Sequence, residues 1–306
     1  MQPIENDALP LFIVMIATSG KASGIEQTLL SLASCHLPDR FNGTFVIENG
    51  EKSNLKSNLS SLPNHLNIHY FYQEKGNKSL ALNFGISQLD PASDYFIFFT
   101  DDDVEFNPDI LKVYFSVMEK YETGNYFGGK VFARHETPPP QWLYPILPSS
   151  AIGWPNEFTN LEHNFTFIGN NWAAYKSDII TTGGFDPQFG PGTKPRRIGQ
   201  EFNMQERMFK RGLNPVFIQE AQVWHSIPEN KSNLKFALNR QYQYGLKMHF
   251  VCGSNARTRA KFILSELKSI VAFLGKGVLT LSFRRLLLCF AHIYVLKGFI
   301  YGKNKR

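Results

Sequence analysis

Tyr95-Phe96-Ile97-Phe98-Phe99-Thr100-Asp101-Asp102-Asp103 passes from an unbroken apolar run to three consecutive carboxylates. An apolar run of this length, rich in aromatics and bounded by polar residues, reads as a strand buried on both faces. Acids crowded at its tip repel one another unless a cation or solvent intervenes. Hard divalent cations such as Mg²⁺ or Mn²⁺ take oxygen ligands and commonly bridge a carboxylate to substrate phosphates. Side chains alternate along an extended segment, so Asp101 and Asp103 can face one way. The competing reading is a solvated acidic turn ahead of a helix starting at Asn107-Pro108-Asp109. The position directly after a buried strand favours the ligand-binding one.

Upstream, residues 11–17 (LFIVMIA) form another apolar run of strand length, and helical periodicity follows over residues 25–33. Residues 45–47 make a second short strand that leads into Glu48-Asn49-Gly50. Residues 68–72 make a third, ahead of a helix over residues 79–88. Short apolar strands alternating with helices predict an α/β fold, a mostly parallel central sheet flanked by helices. Ligands gather at the carboxyl ends of such strands, which puts the expected site on the loops after Ala17, Ile47, Tyr72 and Phe99.

Downstream, residues 128–155 are rich in Pro, Trp and Gly, including Pro138-Pro139-Pro140, and read as a loop-rich crossing into a second half. Helical periodicity returns over residues 201–211, a strand follows at 215–218, and Val223-Trp224-His225 comes next. Residues 261–301 are mostly apolar and helical, punctuated by Lys268, Lys276, Arg284, Arg285 and Lys297. The expected division is a catalytic domain over residues 1–230, with halves at 1–128 and 129–230, and a helical, basic appendage over 231–306.

The 306 residues carry 32 Lys+Arg against 26 Asp+Glu, a formal +6 that suits phosphate-bearing ligands or an anionic lipid surface. With 43% hydrophobic residues the chain is ordered and globular. Cys35, Cys252 and Cys289 are too few and too scattered for a disulfide framework or zinc cluster, which fits a reducing compartment. The opening MQPIENDALP lacks a basic segment followed by an apolar stretch, so no signal peptide is expected, and triplets such as Asn42-Gly43-Thr44 read as chance.

Across residues 10–228 the chain resembles a family 2 glycosyltransferase of the GT-A fold. The segment from Val14 to Ser19 resembles the opening strand and nucleotide-contacting turn. Val46-Ile47-Glu48-Asn49-Gly50 resembles the second strand tip, and Thr100 to Asp103 the metal-binding Asp-x-Asp. Gly169-Asn170-Asn171-Trp172-Ala173, Gly183-Gly184-Phe185-Asp186 and the stretch from Gly199 to Arg207 resemble the acceptor-side block, which closes with Val223-Trp224-His225. Two departures stand out. The opening turn reads Ala17-Thr18-Ser19-Gly20-Lys21 in place of the usual Pro and Tyr-Asn-Arg, and Gln200-Glu201 replaces the usual Glu-Asp.

The resemblance implies an inverting transfer from a nucleotide-sugar donor to a glycan or lipid-linked acceptor, with Mn²⁺ or Mg²⁺ as cofactor. It makes Glu201 the general base, with Glu206 as rival, and places Asp101, Asp103 and His225 on the metal. Thr18, Glu48, Lys78, Asp101 and Asp102 are expected on the nucleotide, and Asn171, Trp172 and Asp186 on the acceptor or sugar. His225 also reads as a structural histidine, and Trp172 as a core residue. The loop carrying Lys194, Arg196 and Arg197 could order over the donor diphosphate.

Residues 261–301 are too interrupted by Lys and Arg for a confident membrane span. Apolar stripes with basic punctuation fit helices lying peripherally at the cytoplasmic face of an anionic membrane, or an ordinary packed appendage. No nucleic-acid partner is expected. Two other functions remain open: a binding module of the same fold that has lost its chemistry, and a sugar nucleotidyltransferase. The latter should show a Gly-rich basic loop after the first strand, of which residues 17–24 hold a thin version.

Overall fold

The computed structural model describes residues 9–20, 24–154 and 166–302, so Lys21 of the opening turn lies outside the described residues. The chain divides into two compact units. One comprises Met1–Arg134, Gly153–Gly192 and Gly199–Ser226; the other comprises His135–Ile152, Thr193–Ile198 and Ile227–Arg306.

The first unit is built on an eight-stranded sheet of order β3-β2-β1-β4-β7-β6-β8-β5. Its strands β1 (Leu11–Thr18), β2 (Phe41–Asn49), β3 (Ile68–Gln73) and β4 (Tyr95–Thr100) are parallel neighbours. The rest are β5 (Val104–Phe106), β6 (Asn125–His135), β7 (Trp172–Tyr175) and β8 (Asn214–Ile227). β7 runs antiparallel to β4 and β6, and β5 antiparallel to β8. The sheet is therefore mixed: parallel from β3 to β4, where the short apolar strands predict it, with β7 and β5 bringing in the antiparallel pairings.

Strand alternation splits the core into two layers. Phe12, Val14, Ile16, Val46, Phe96 and Phe98 face one layer. They pack there with Leu29 of α1 (Gly24–Ala33), Leu55 of α2 (Leu55–Leu59) and Tyr114 of the helix Ile110–Lys120. Ile13, Met15, Phe45, Ile47, Ile97 and Phe99 face the other. Their partners include Leu82 of α3 (Lys78–Ser87), which precedes Ile110–Lys120 (α4) in the chain. Both layers are apolar, so Phe96 to Phe99 of β4 are apolar on both faces. Each fully buried Phe contributes about 1.5–3 kcal/mol relative to exposure, and Phe12, Phe96 and Phe98 are all 0% exposed. A charge at Phe98 would be stranded among Phe106 and Tyr114.

β6 occupies part of the stretch whose composition suggested loop. Its glycines serve close approach. A Cβ on Gly129 would lie 2.1 Å from the Ala221 carbonyl, and one on Gly128 2.0 Å from the Phe167 ring. β8 is continuous where the sequence pattern suggested two pieces.

The second unit is helical, with α5 (Ser149–Ile152) followed by three long helices. Two helices of the first unit come between them in sequence, α6 (Lys176–Thr181) and α7 (Gln200–Lys210), so the long ones are α8 (Leu234–Val251), α9 (Ala256–Leu279) and α10 (Phe283–Tyr301). α8 and α10 cross at reciprocal glycines. A Cβ on Gly245 would lie 2.0 Å from the Val295 carbonyl, and one on Gly298 2.0 Å from that of Tyr242. Among the described residues no helix is long and apolar enough to cross a membrane.

Candidate active site

The parallel register of β1 and β4 puts Ile16 opposite Thr100. Two residues further along, the chain brings Thr18 beside Asp102, and the Thr18 hydroxyl donates to Asp102 Oδ2. Thr18 is held in turn: its Oγ1 accepts from Gly20 N (3.2 Å), and its carbonyl accepts from Asn49 Nδ2 (2.7 Å). Burial pushes the Asp102 carboxyl above its ordinary range. The Thr18 hydrogen bond opposes that rise, while Asp103 and Asp101 add to it.

Lys78 opens α3. Asn77 caps the helix by accepting from Leu80 N at 3.0 Å. The same helix start carries the loop that follows Phe185. Asn77 Nδ2 donates to Pro187 O (2.9 Å), Ser79 Oγ to Phe189 O (2.9 Å) and Lys78 N to Pro191 O (3.2 Å). Gly192, at φ +90°, lies so close that a Cβ would reach 1.7 Å from Gly76 O. From this anchored position Lys78 Nζ donates to Asp101 Oδ1. Burial alone would lower the lysine's pKa. The attraction of Asp101, with contributions from Glu201 and Asp102, outweighs it and holds the ammonium above its ordinary value.

Glu201 thus acts on the same ammonium as the acidic strand end. It stands in the first turn of α7, where the helix dipole favours a carboxylate. Gly169 leaves room for it: a Cβ there would lie 3.1 Å from Glu201 Cγ and Cδ. Glu206, on the same helix, pairs with Lys210 at 2.7 Å on an exposed face.

Asp103 is joined to the far end of the sheet. β5 pairs with β8 so that Val104 faces His225, and Ser226 N donates to Asp103 O at 2.8 Å. His225 Nε2 lies 3.2 Å from Asp103 Oδ1, with the imidazole only 8% exposed. Among the described residues no three His, Cys, Asp or Glu side chains are grouped to hold a metal. A cation shared with substrate phosphates needs only one or two protein ligands. The Asp103 and His225 pair, a hard oxygen and an imidazole, fits that requirement.

Other expected contacts lie deeper. Glu48 is 0% exposed, and its carboxylate accepts from Ser53 N (2.6 Å) and Tyr70 OH (2.5 Å). Asn171 is a clamp between strands. It accepts from Tyr114 OH (2.8 Å) and donates to the Lys130 (2.8 Å) and Ala221 (3.0 Å) carbonyls. Trp172 stacks on Phe99 with ring centroids 4.7 Å apart. Asp186 accepts from Gln188 N (2.9 Å) in a turn held by Arg207, which donates to Thr182 O and Gly184 O. Lys194, Arg196 and Arg197 belong to the second unit. Asn170, which the sequence reading did not assign, accepts from Thr100 Oγ1 through its carbonyl at 2.9 Å. Its one signal in the sequence is a doubled amide beside an apolar strand.

The sequence pattern described as glycosyl transferase family 2 matches residues 13–183, more than half of the chain. The chain belongs to that family. It is a glycosyltransferase, and its fold is that of other GT-A enzymes. The mannosyltransferase PcManGT from Pyrobaculum calidifontis, solved with GDP-Man and Mn²⁺, superposes with a TM-score of 0.61 at 14% identity, over 97% of this chain and 88% of that one. S. aureus TarS residues 1–349 with UDP-GlcNAc give 0.54 at 13%, over 95% and 81%. GalNAc-T7 with UDP, GalNAc and Mn²⁺ gives 0.54 at 13%, over 84% and 55%. No curated protein matches the chain in sequence. In this glycosyltransferase the acidic strand end, Lys78 and Glu201 form one electrostatic group inside the matched fold.

Proposed function

We propose that this glycosyltransferase transfers a sugar with inversion from a nucleoside-diphosphate sugar to a glycan or lipid-linked acceptor hydroxyl. The observation that carries the reading is the convergence at the end of β4. There Thr18 meets Asp102, Lys78 meets Asp101 and His225 meets Asp103. Neighbours of the same fold were solved with GDP-Man and Mn²⁺ or with UDP-GlcNAc, which supports a nucleotide-sugar donor and a divalent cation.

A cation held by Asp103 and His225 would supply Lewis-acid stabilisation of the departing diphosphate. Lys78 keeps the neighbouring carboxylates compensated and can lend positive charge toward phosphate. Glu201 is the general base. Its carboxylate takes the proton of the acceptor hydroxyl as that oxygen bonds to the anomeric carbon. The bond from that carbon to the diphosphate breaks on the opposite face. Glu48 and Thr18 shape the nucleoside end from beneath, Glu48 through the buried network it makes with Ser53 and Tyr70. Catalysis is assigned to residues 1–230, and peripheral contact with an anionic membrane at its cytoplasmic face to the helices after residue 230.

The test is donor binding and turnover with Mn²⁺, with Mg²⁺ and with chelator, comparing wild type with Asp103→Ala and Glu201→Gln. Metal-dependent binding lost in Asp103→Ala, and binding without turnover in Glu201→Gln, support the assignment. Metal-independent binding that Asp103→Ala leaves intact would remove the cation from the mechanism. A wild type that binds donor but never transfers would favour the binding-module reading.

A further inference from the structure

Asn170 and Asn171 are adjacent, almost fully buried, and treated in opposite ways. Asn171 uses both ends of its amide on protein groups. Asn170 is 1% exposed, yet neither its Nδ2 nor its Oδ1 has a hydrogen-bonding partner among the described residues. Native proteins pair nearly all buried amides, because a lost partner costs the full desolvation of the group. A residue needed only to fill this space would be apolar.

The position says what the amide is for. β7 runs antiparallel to β4 with Trp172 opposite Phe99. Asn170 stands in the turn that leads into β7, and the Thr100 hydroxyl bond to its carbonyl holds it beside the residue that precedes Asp101. On its other side the chain passes Gly169, which packs against Glu201. Asn170 therefore lies between the acidic strand end and the proposed base. If those are the leaving-group and acceptor ends of the reaction, the transferred sugar lies between them.

We infer that Asn170 positions the transferred sugar, its amide hydrogen-bonding the hydroxyls of the donor's sugar ring. The inference rests on the proposed donor site and deepens it. The chemistry selects hydroxyls over phosphate. An amide needs an acceptor for its Nδ2 and a donor for its Oδ1, and a hydroxyl can serve as either. Phosphate oxygens only accept, and would leave Oδ1 facing negative charge.

The test measures binding of UDP, GDP and dTDP, and of their sugar conjugates, with Mn²⁺ present. Wild type is compared with Asn170→Leu, of similar size, and Asn170→Ala, which covers failure of the leucine to pack. Thermal melts are run in parallel. Both variants are expected to bind the free nucleoside diphosphate as wild type does and to lose about tenfold in affinity for the sugar nucleotide. Asn170→Leu is expected to melt no lower than wild type. Equal affinity for the sugar nucleotide together with a lowered melting temperature makes Asn170 a structural residue paired through internal water, and overturns the inference alone. So does an equal loss for nucleotide and sugar nucleotide. A wild type that binds none of the panel overturns the donor site itself, a separate result from either of these.

Discussion

Lys78 Nζ donates to Asp101 Oδ1, tying the first residue of α3 to the first residue beyond β4. The pair is partly buried, with the lysine 15% and the aspartate 28% exposed. It places one fixed cation against a run of three carboxylates. That run makes sense in a folded protein only if positive charge is brought to it. The chain provides the Lys78 ammonium for Asp101, while the His225 imidazole meets Asp103 from the other side.

Replacing Lys78 by Met removes that cation and leaves Asp101, Asp102 and Asp103 repelling one another. The expected cost is about 1–3 kcal/mol, below the range for a fully buried pair because Asp101 keeps some solvent. Lys78 titrates above its ordinary value of 10.5. Its stabilisation is therefore fully present below that value and is lost only as pH rises through the raised one. Urea unfolding at pH 7 and pH 9 should give the same difference between wild type and Lys78→Met. A difference that already vanishes at pH 9 would mean the ion pair is not what stabilises this corner.

Glu201→Gln and Glu206→Gln separate the two candidate bases. Loss of a general base typically costs about 10²–10⁴ in rate. Glu201→Gln is expected to lower kcat by that order while leaving donor affinity within a few-fold. Glu206→Gln removes only an exposed i,i+4 pair with Lys210, worth about 0.3–0.5 kcal/mol, and should leave kcat unchanged. The reverse pattern in single-turnover assays would move the base to Glu206.

The parallel half of the sheet was legible because each of its strands is short and apolar on both faces, as in YFIFF and LFIVMIA. β6 was not. Gly128 and Gly129 look like loop residues until the close approach of Phe167 and Ala221 is known. Within the site, Asp101 to Asp103, Thr18 and Lys78 could be named because each sits at a strand tip or helix start, and Glu201 through the family resemblance. The resemblance put His225 and Asp103 on one metal but did not show how they meet, which depends on β5 lying antiparallel to β8 at the sheet edge. Asn171 and Asn170 were indistinguishable as letters. Only the partners of one and their lack in the other set them apart.

Glu48 gives the first unit an acid-sensitive element. Burial alone would raise its pKa, but hydrogen bonds from Ser53 and Tyr70 and the charge of Lys52 outweigh burial. They hold it below its ordinary value of 4.5. The unfolded chain therefore binds the proton first as pH falls. Stability from this carboxylate is present above 4.5 and is lost as pH drops through the lowered folded value. Glu48→Gln should be less stable than wild type at pH 7, and the gap should narrow below pH 4. Parallel pH profiles of melting temperature for the two proteins would show that Glu48 contributes nothing to acid sensitivity.

α9 carries an apolar stripe on its exposed face. Leu264, Leu267, Val271, Leu274 and Val278 are all exposed, and their 3-4-3-4 spacing keeps them on one face of the helix. Lys261, Lys268 and Lys276 lie exposed on the same helix. The single acid of residues 256–301, Glu266, is 9% exposed and bonded to His292 at 2.7 Å. A coiled-coil partner of the same sequence would need acids opposite these lysines, and the helix offers none. An anionic bilayer answers both features, taking the apolar stripe into the headgroup boundary and the lysines to lipid phosphates. Full-length protein should therefore sediment with vesicles containing phosphatidylglycerol and much less with neutral ones, and added salt should weaken the binding. Val271→Glu with Leu274→Glu should reduce partitioning about tenfold or more, through lost apolar burial and added repulsion. Sedimentation that ignores lipid charge would sink the electrostatic half of the argument. A wild-type dimer that this double variant dissociates would identify the stripe as a self-association seam instead.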